Sequence, residues 1–273
     1  MILKPGKPID EGTSYRPISL LAPAAKILER LILPFLNADL PTHSTQHGFR
    51  PQRSCTTALL PIAQRVVEGF NDKKPPRRTG LVAVDFSKAF HTVDVTPLLS
   101  KITTTNLNPC IKRWLAAYLR GRKARVQYEG ATSPCRTLHA GVPQGSCISP
   151  VLFNYYVSYC PQSADITTSF ADDFSLLESA SSPAELETRL TAALDDIGAW
   201  ADEAKLTVSS SKTTVTLFTS NPHEVNAHDP IVHLGQTRLP VDRAPKILGV
   251  TFDPAFSFAK HVAAIETKAK KRL

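Results

Sequence analysis

The sequence predicts a mixed α+β fold whose sheet joins strands that are not neighbours along the chain. Three observations carry this. An uninterrupted apolar run, Leu81-Val82-Ala83-Val84, ends in Asp85 and has the character of a fully buried strand. Two strand-like runs, Ile166–Phe170 and Phe174–Leu177, flank Ala171-Asp172-Asp173 in the manner of a hairpin. Segments with helical spacing lie before, between and after them.

Taken in order, residues 1–60 read as a loop with short strands followed by a helix. Tyr15-Arg16-Pro17 enforces extended backbone ahead of the proline, and Ala24–Leu33 carries helical spacing. Thr56–Phe70 is a second helix. Asn71–Gly80, with Pro75-Pro76 and four basic residues, reads as a surface loop. After the Leu81–Asp85 strand, Thr96–Leu119 is mostly helical. Ser182 to Lys205 is a helix opened by the capping sequence Ser182-Pro183-Ala184-Glu185. Strands around Val215–Phe218 and Ile247–Phe252 precede a last helix from about Phe258. The chain has neither an internal repeat nor a low-complexity tract.

Composition narrows the function classes. At 273 residues the chain accommodates one large domain or two modest ones. Hydrophobic residues make up 42% and charged residues 21%, which supports a buried core rather than disorder. No stretch approaches the ~18 apolar residues of a membrane span, and the N-terminus lacks secretory architecture. The expectation is a soluble intracellular protein without a membrane partner. Cys55, Cys110, Cys135, Cys147 and Cys160 are odd in number and widely spaced, so neither a disulfide framework nor a zinc site is indicated.

A net charge of +8 points to a polyanionic partner. The excess is concentrated. No acid stands between Asp94 and Glu129, while Lys101, Lys112, Arg113, Arg120, Arg122, Lys123 and Arg125 fall there, interleaved with Trp114, Tyr118 and Tyr128. Such a stretch can neutralise phosphates while its aromatic rings stack. It is equally compatible with an amphipathic helix whose Trp114 and Tyr118 face the core at i, i+4. A second basic run, Lys268-Ala269-Lys270-Lys271-Arg272, closes the chain.

Asp85 at the end of one strand and Asp172-Asp173 at a hairpin tip form the chemically informative set. A single aspartate at a strand end is usually a cap or turn former. Three carboxylates at the ends of apolar strands, on a basic protein without a His or Cys cluster, are a different matter. Hard oxygen ligands suit Mg²⁺, and two such ions ~3.5–4 Å apart serve in-line phosphoryl transfer.

The motifs together resemble the reverse transcriptases of the non-LTR (LINE-like) retrotransposons. They run in order: Leu81-Val82-Ala83-Val84-Asp85-Phe86-Ser87-Lys88-Ala89-Phe90, then Gly141-Val142-Pro143-Gln144-Gly145-Ser146-Cys147-Ile148-Ser149-Pro150, then Phe170-Ala171-Asp172-Asp173. Supporting segments are Ile2–Lys7, Tyr15–Leu20, Gln46-His47-Gly48-Phe49-Arg50, Lys212-Thr213 and Ile247–Val250. The resemblance runs from about residue 2 to residue 262. Phe-Ala-Asp-Asp alone is a weak signal; the ordered set is specific.

The resemblance implies a right-hand polymerase fold with palm and fingers and a truncated thumb. Fingers would occupy 1–80, palm with a fingers return 81–220, a connection 221–257, and the start of the thumb 258–273. It implies Asp85, Asp172 and Asp173 as catalytic and metal ligands, joined by the Phe86 carbonyl. The metal would be two Mg²⁺ ions, with Mn²⁺ able to substitute. Phe90 would lie beneath the nucleotide sugar and exclude a 2′-hydroxyl. Gln144 and Gly145 would touch the incoming nucleotide and the template, with Lys4 and Arg16 gripping the triphosphate. Lys212 would protonate the leaving pyrophosphate. Gln46, Arg50 and Arg53 would face the template, and Lys112, Arg113, Arg120, Arg122, Lys123 and Arg125 would contact template and primer. RNA template, DNA primer and deoxynucleoside triphosphates are the implied partners, and the nucleus the implied compartment in a eukaryotic host.

Two departures accompany the resemblance. His91 stands where the pattern usually has Asp, and Ser209 where an Asn usually precedes the lysine by three residues. With the short ends, they lead to the expectation of a partial copy of a longer polyprotein. The leading reading is an RNA-directed DNA polymerase domain. The alternatives are a catalytically inactive remnant that only binds nucleic acid, an RNA-dependent RNA polymerase, which has no use for a 2′-hydroxyl gate, and an intron maturase.

Overall fold

The computed structural model describes residues 1–72, 77–221, 223–224 and 228–272. Its main helices are α1 (Pro23–Asp39), α2 (Cys55–Asn71), α3 (Val95–Thr103), α4 (Pro109–Leu119), α5 (Ser149–Val157), α6 (Pro183–Glu203) and α7 (Ala259–Lys270). The long strands are β1 (Arg78–Asp85), β2 (Ile166–Phe170), β3 (Asp173–Ala180) and β4 (Thr214–Phe218). The α+β composition is as expected. The chain forms two compact units, each assembled from two separate segments: Met1–Thr42 with Lys88–Tyr159, and His43–Ser87 with Cys160–Leu273.

The second unit is built on a four-stranded sheet in the order β4-β1-β3-β2, antiparallel throughout. Only the β2–β3 pair is sequential, so the sheet does join strands distant in sequence. β1 carries the apolar run Leu81–Val84, and β3 is buried from Phe174 to Ala180 although Ser175, Glu178 and Ser179 interrupt its apolar residues, because both faces are covered. Ile62 and Val66 of α2 pack with Leu81, Leu177 and Phe218 on one face. Successive side chains alternate faces, and a Cβ placed on Gly80 would lie 2.5 Å from Leu190 and 3.3 Å from Leu186 of α6. Helix α6 therefore covers the opposite face, close enough that a larger residue at this strand position would require the Leu190 side chain to move.

Local signals explain the ends of these elements. Ser182 caps α6 by accepting from the Glu185 N–H. Ser54 and Thr57 form a reciprocal capping box at the start of α2. β1 begins at Arg78, three residues before its apolar run, because Arg78 pairs with Ala180 of β3. The expected Asn71–Gly80 loop is shortened accordingly, and its Pro75-Pro76 lies outside the described residues. The strand expected over Ile247–Phe252 is instead a tight hairpin, Lys246–Ile247 against Val250–Thr251. Its turn residues Leu248 and Gly249 both have positive φ, 47° and 90°, the conformation that two-residue hairpin loops favour.

In the first unit, the helical stretch expected over Thr96–Leu119 divides into α3 and α4. Asn108 caps α4, accepting from the Cys110 N–H at 2.8 Å, and Pro109 takes its first helical position. The basic region continues as paired two-residue strands, Lys123–Ala124 with Arg136–Thr137 and Gln127–Tyr128 with Ala131–Thr132. These pairs are too short for sequence alternation to signal. Among the described residues, no helix is long and apolar enough to cross a membrane.

Candidate active site

The sheet of the second unit brings the carboxylates together. Asp85 is the last residue of β1, and its register partner is Asp173, the first residue of β3. Asp173 also pairs with Phe170 of β2, leaving Ala171-Asp172 as a two-residue loop. Neighbouring antiparallel residues have Cα atoms about 4.5–5.5 Å apart, so this end of the two central strands and their adjoining turn carries three acidic side chains within a small region. The Asp173 carboxyl is pushed up to about 6, first by the protein packed around it and then by the charges of Asp172 and Asp85. The residue keeps an exposed surface, so water screens part of this effect.

Beneath these groups the sheet is anchored by aromatic packing. Phe86 is buried and meets Phe174 edge-on at 5.2 Å and Trp200 of α6 at 6.2 Å. The strand end is also held from the segment before β4. The Ser209 N–H donates to the Asp85 carbonyl at 2.8 Å, and the Asp85 N–H donates to Thr213 Oγ1 at 3.2 Å. Lys212 Nζ stands 3.2 Å from Asp85 Oδ1. The Ser209 contacts to Asp85, Lys212 and Thr213 are all made by its backbone. A serine in place of the usual asparagine therefore leaves them intact.

Gln46 is buried at 2% exposure rather than open to solvent. Its Oε1 accepts from the Ala171 N–H at 2.7 Å and the Gly48 N–H at 2.9 Å, while Nε2 donates to the Ala171 carbonyl at 3.0 Å. Arg50 donates to the carbonyls of His43 and Gln46 at 2.8 and 3.0 Å. Arg53 is exposed. His47, also buried, is held below the usual histidine range by burial and by Arg53 and Arg50.

The remaining expected residues belong to the first unit. Phe90 stacks on Phe153 with ring centroids 4.3 Å apart and planes 18° from parallel. The Val142 N–H donates to the Phe90 carbonyl at 2.8 Å, which joins the start of the Gly141–Pro150 motif to Phe90. Gln144 and Gly145 pass close to the Ser19 backbone. The Ser19 N–H donates to the Gln144 carbonyl at 2.7 Å, and Gly145 has φ +121° with room for no Cβ beside the Ser19 carbonyl. Lys4 Nζ donates to the Thr13 carbonyl at 2.7 Å, and Arg16 is exposed.

The basic residues divide into engaged and solvated groups. Lys112 donates to the Thr103 and Thr105 carbonyls at the end of α3. Arg122 donates to the Ala140 and Gly141 carbonyls, and Arg113 to Cys110 Sγ at 3.4 Å. Arg120, Lys123 and Arg125 are exposed. Trp114 and Tyr118 stack at 4.9 Å.

One residue of this unit went unforeseen. Glu29 of α1 is fully buried and accepts from Tyr118 Oη at 2.7 Å, Ser146 Oγ at 3.0 Å and the Cys147 N–H at 2.7 Å. It thereby fixes the loop immediately after Gln144-Gly145. An acid inside the apolar run Ile27–Leu33 was the available signal.

The donor set can be tested against a divalent cation. Among the described residues, no three His, Cys, Asp or Glu side chains are gathered into a ready metal cage. The chemistry of the donors fits nonetheless: three carboxylates are hard oxygen ligands, and the Asp173 carboxyl, raised first by burial, is raised further by the charges of Asp172 and Asp85, which a cation would offset.

Comparisons with known proteins agree along the chain. The family model described as reverse transcriptase (RNA-dependent DNA polymerase) matches residues 2–252. The chain is 31% identical to the probable RNA-directed DNA polymerase from transposon BS of Drosophila melanogaster, covering 100% of this chain and 31% of that protein. It is 29% identical to the RNA-directed DNA polymerase from mobile element jockey of Drosophila funebris, covering 100% and 30%. The chain thus spans about a third of the length of these relatives. Apo telomerase from Candida tropicalis, truncated from its C-terminal domain, is similar in fold, with TM-score 0.53, 11% identity, and coverage of 84% of this chain and 44% of that one.

Proposed function

The chain belongs to the reverse transcriptase (RNA-dependent DNA polymerase) family, and from that premise we propose that it extends a DNA primer on an RNA template with deoxynucleotides, as in target-primed retrotransposition. The observation that carries the reading is the placement of Asp85 opposite Asp173, with Asp172 in the adjoining turn and Lys212 on Asp85.

In this reading Asp85, Asp172, Asp173 and the Phe86 carbonyl hold two Mg²⁺ ions, for which Mn²⁺ can substitute. When bound, the ions supply activation of the primer hydroxyl and neutralisation of triphosphate charge. The chain's own groups do the rest. Lys212 delivers a proton to the leaving pyrophosphate, a role supported by its ion pair with Asp85 at 3.2 Å. Phe90, backed by Phe153, sets sugar choice by clash with a 2′-hydroxyl. Gln144 and Gly145 present a fixed backbone to the nucleotide. Lys4 and Arg16 meet the triphosphate, and Arg50 and Arg53 stand toward the template. The exposed Arg120, Lys123 and Arg125 supply salt-sensitive phosphate contacts. In right-hand terms, residues 1–80 serve as fingers, 81–220 as palm with a fingers return, 221–257 as the connection, and 258–273 as the start of the thumb.

Primer extension on poly(rA)–oligo(dT), beside a salt titration of duplex binding, tests the reading. Asp172→Asn is expected to abolish extension and leave folding and binding unchanged. Binding should weaken steeply as salt rises. Undiminished extension by Asp172→Asn overturns the reading.

A further inference from the structure

We infer that Gln46 is a positioning residue that holds the carboxylate turn in its working conformation; this rests on the reading of Asp85, Asp172 and Asp173 as the catalytic carboxylates. The turn has a local problem that Gln46 solves. Ala171, the first of its two loop residues, has φ 58°, a left-handed conformation unfavourable for an L-residue other than glycine. A two-residue hairpin loop does not pair the backbone groups of its first residue across the ladder. The Gln46 amide meets both of them at Ala171, accepting from its N–H at 2.7 Å and donating to its carbonyl at 3.0 Å. A side-chain amide carries acceptor and donor together and so fits this task, which a carboxylate would not.

The clamp itself is held at several points. The segment before it runs parallel to β2 through Gln46 and Ser169. The Ser169 N–H donates to the Thr45 carbonyl at 2.9 Å, and the His47 N–H to the Ser169 carbonyl at 2.8 Å. Arg50 ties down the Gln46 carbonyl. Gly48 lies so close that a Cβ there would stand 2.3 Å from the Ala171 nitrogen, so the approach requires glycine. Gln46 and Gly48 thus enclose the Ala171 peptide on the chain leading into Asp172. Displacing that peptide by even 1 Å would move the following carboxylate away from its partners, an error that active sites tolerate poorly.

The test uses the full chain and three variants. Gln46→Met keeps the length of the side chain and removes both hydrogen-bonding functions. It is expected to lower kcat at least tenfold, leave KM for primer–template within about twofold, and raise the Mg²⁺ concentration needed for half-maximal rate. Gln46→Glu sets two acceptors against the Ala171 carbonyl. Its rate relative to wild type should recover as pH is lowered from 8 to 6, where protonation restores a donor; a merely structural role gives no such profile. A readout independent of activity is amide hydrogen exchange at Ala171, expected to be slow in wild type and fast in Gln46→Met, which leaves the Ala171 N–H without its acceptor. Asp172→Asn separates this inference from the functional reading: if it retains activity, the reading of the carboxylates fails. If Asp172→Asn is inactive while Gln46→Met keeps wild-type kcat and Mg²⁺ dependence, or if Ala171 exchange is unchanged, the clamp is overturned.

Discussion

Asp85 and Asp173 face each other across adjacent antiparallel strands, the last residue of β1 against the first of β3. Like charges in directly opposed positions destabilise a sheet, and Asp172 adds a third. The arrangement therefore costs the metal-free protein stability. Asp173→Asn is expected to raise stability by on the order of 0.5–1 kcal/mol at pH 7.5 with divalent ions chelated, a modest gain because solvent reaches the residue. Thermal unfolding reads the gain, and primer extension reads the accompanying loss of activity. A lowered midpoint would mean that Asp173 is held by favourable contacts rather than crowded by like charge.

Phe90 tests a different part of the reading. Phe90→Val opens the space assigned to the sugar and should raise incorporation of ribonucleotides relative to deoxynucleotides at least tenfold. It also removes the stack on Phe153, so a stability loss of about 1–2 kcal/mol is expected, from the ring pair and the lost burial. Single-nucleotide incorporation with each substrate, beside urea unfolding, separates the two effects. An unchanged selectivity ratio removes Phe90 from sugar choice.

Glu29 should be among the most sensitive positions of the first unit. Glu29→Ala leaves Tyr118 Oη, Ser146 Oγ and the Cys147 N–H without their buried acceptor. The expected destabilisation is roughly 2–4 kcal/mol. Glu29→Gln, which retains one acceptor oxygen, should lose about half as much. Urea denaturation of both variants decides the order, and equal losses would show that shape rather than hydrogen bonding matters there.

His47 supplies the pH dependence. Its folded-state proton affinity is lowered by burial and by Arg53 and Arg50, while its Nδ1 lies 2.8 Å from Thr57 Oγ1. The unfolded chain therefore binds a proton that the folded chain resists. His47 contributes stability that is fully present above the ordinary value of 6.5 and is lost as pH falls below it. Between pH 7 and pH 5 the wild-type unfolding midpoint should drop more than that of His47→Gln. Comparing the two cancels the contributions of other titrating groups. Parallel pH profiles would refute the assignment.

Local chemistry was legible in the sequence wherever it is decided locally. The Ser182 cap, the buried run of β1, the hairpin around Ala171-Asp172 and the identities of the three aspartates all follow from residue type and short spacing. Helix α1 shows the limit. Ile27, Leu31 and Phe35 are exposed at 63%, 66% and 54%, while Glu29 on the same helix is fully buried. Hydrophobic periodicity assigns the apolar side inward and has no term for three donors waiting on α4 and on the loop before α5. Gln46 shows the same limit at the site. A glutamine beside basic residues reads as a solvent-facing contact, and only the parallel approach of its segment to β2 turns it toward Ala171.

The sequence by itself determined where the three aspartates fall and which short segments form strands and helices, because propensity, capping and turn conformation act within a few residues. Tertiary structure decided the register that sets Asp85 against Asp173, the burial of Glu29, and the clamp from Gln46. Each joins groups between 88 and 125 positions apart, where pairing is selected by the packing of both sheet faces and the satisfaction of buried polar groups, and no local pattern encodes the partner.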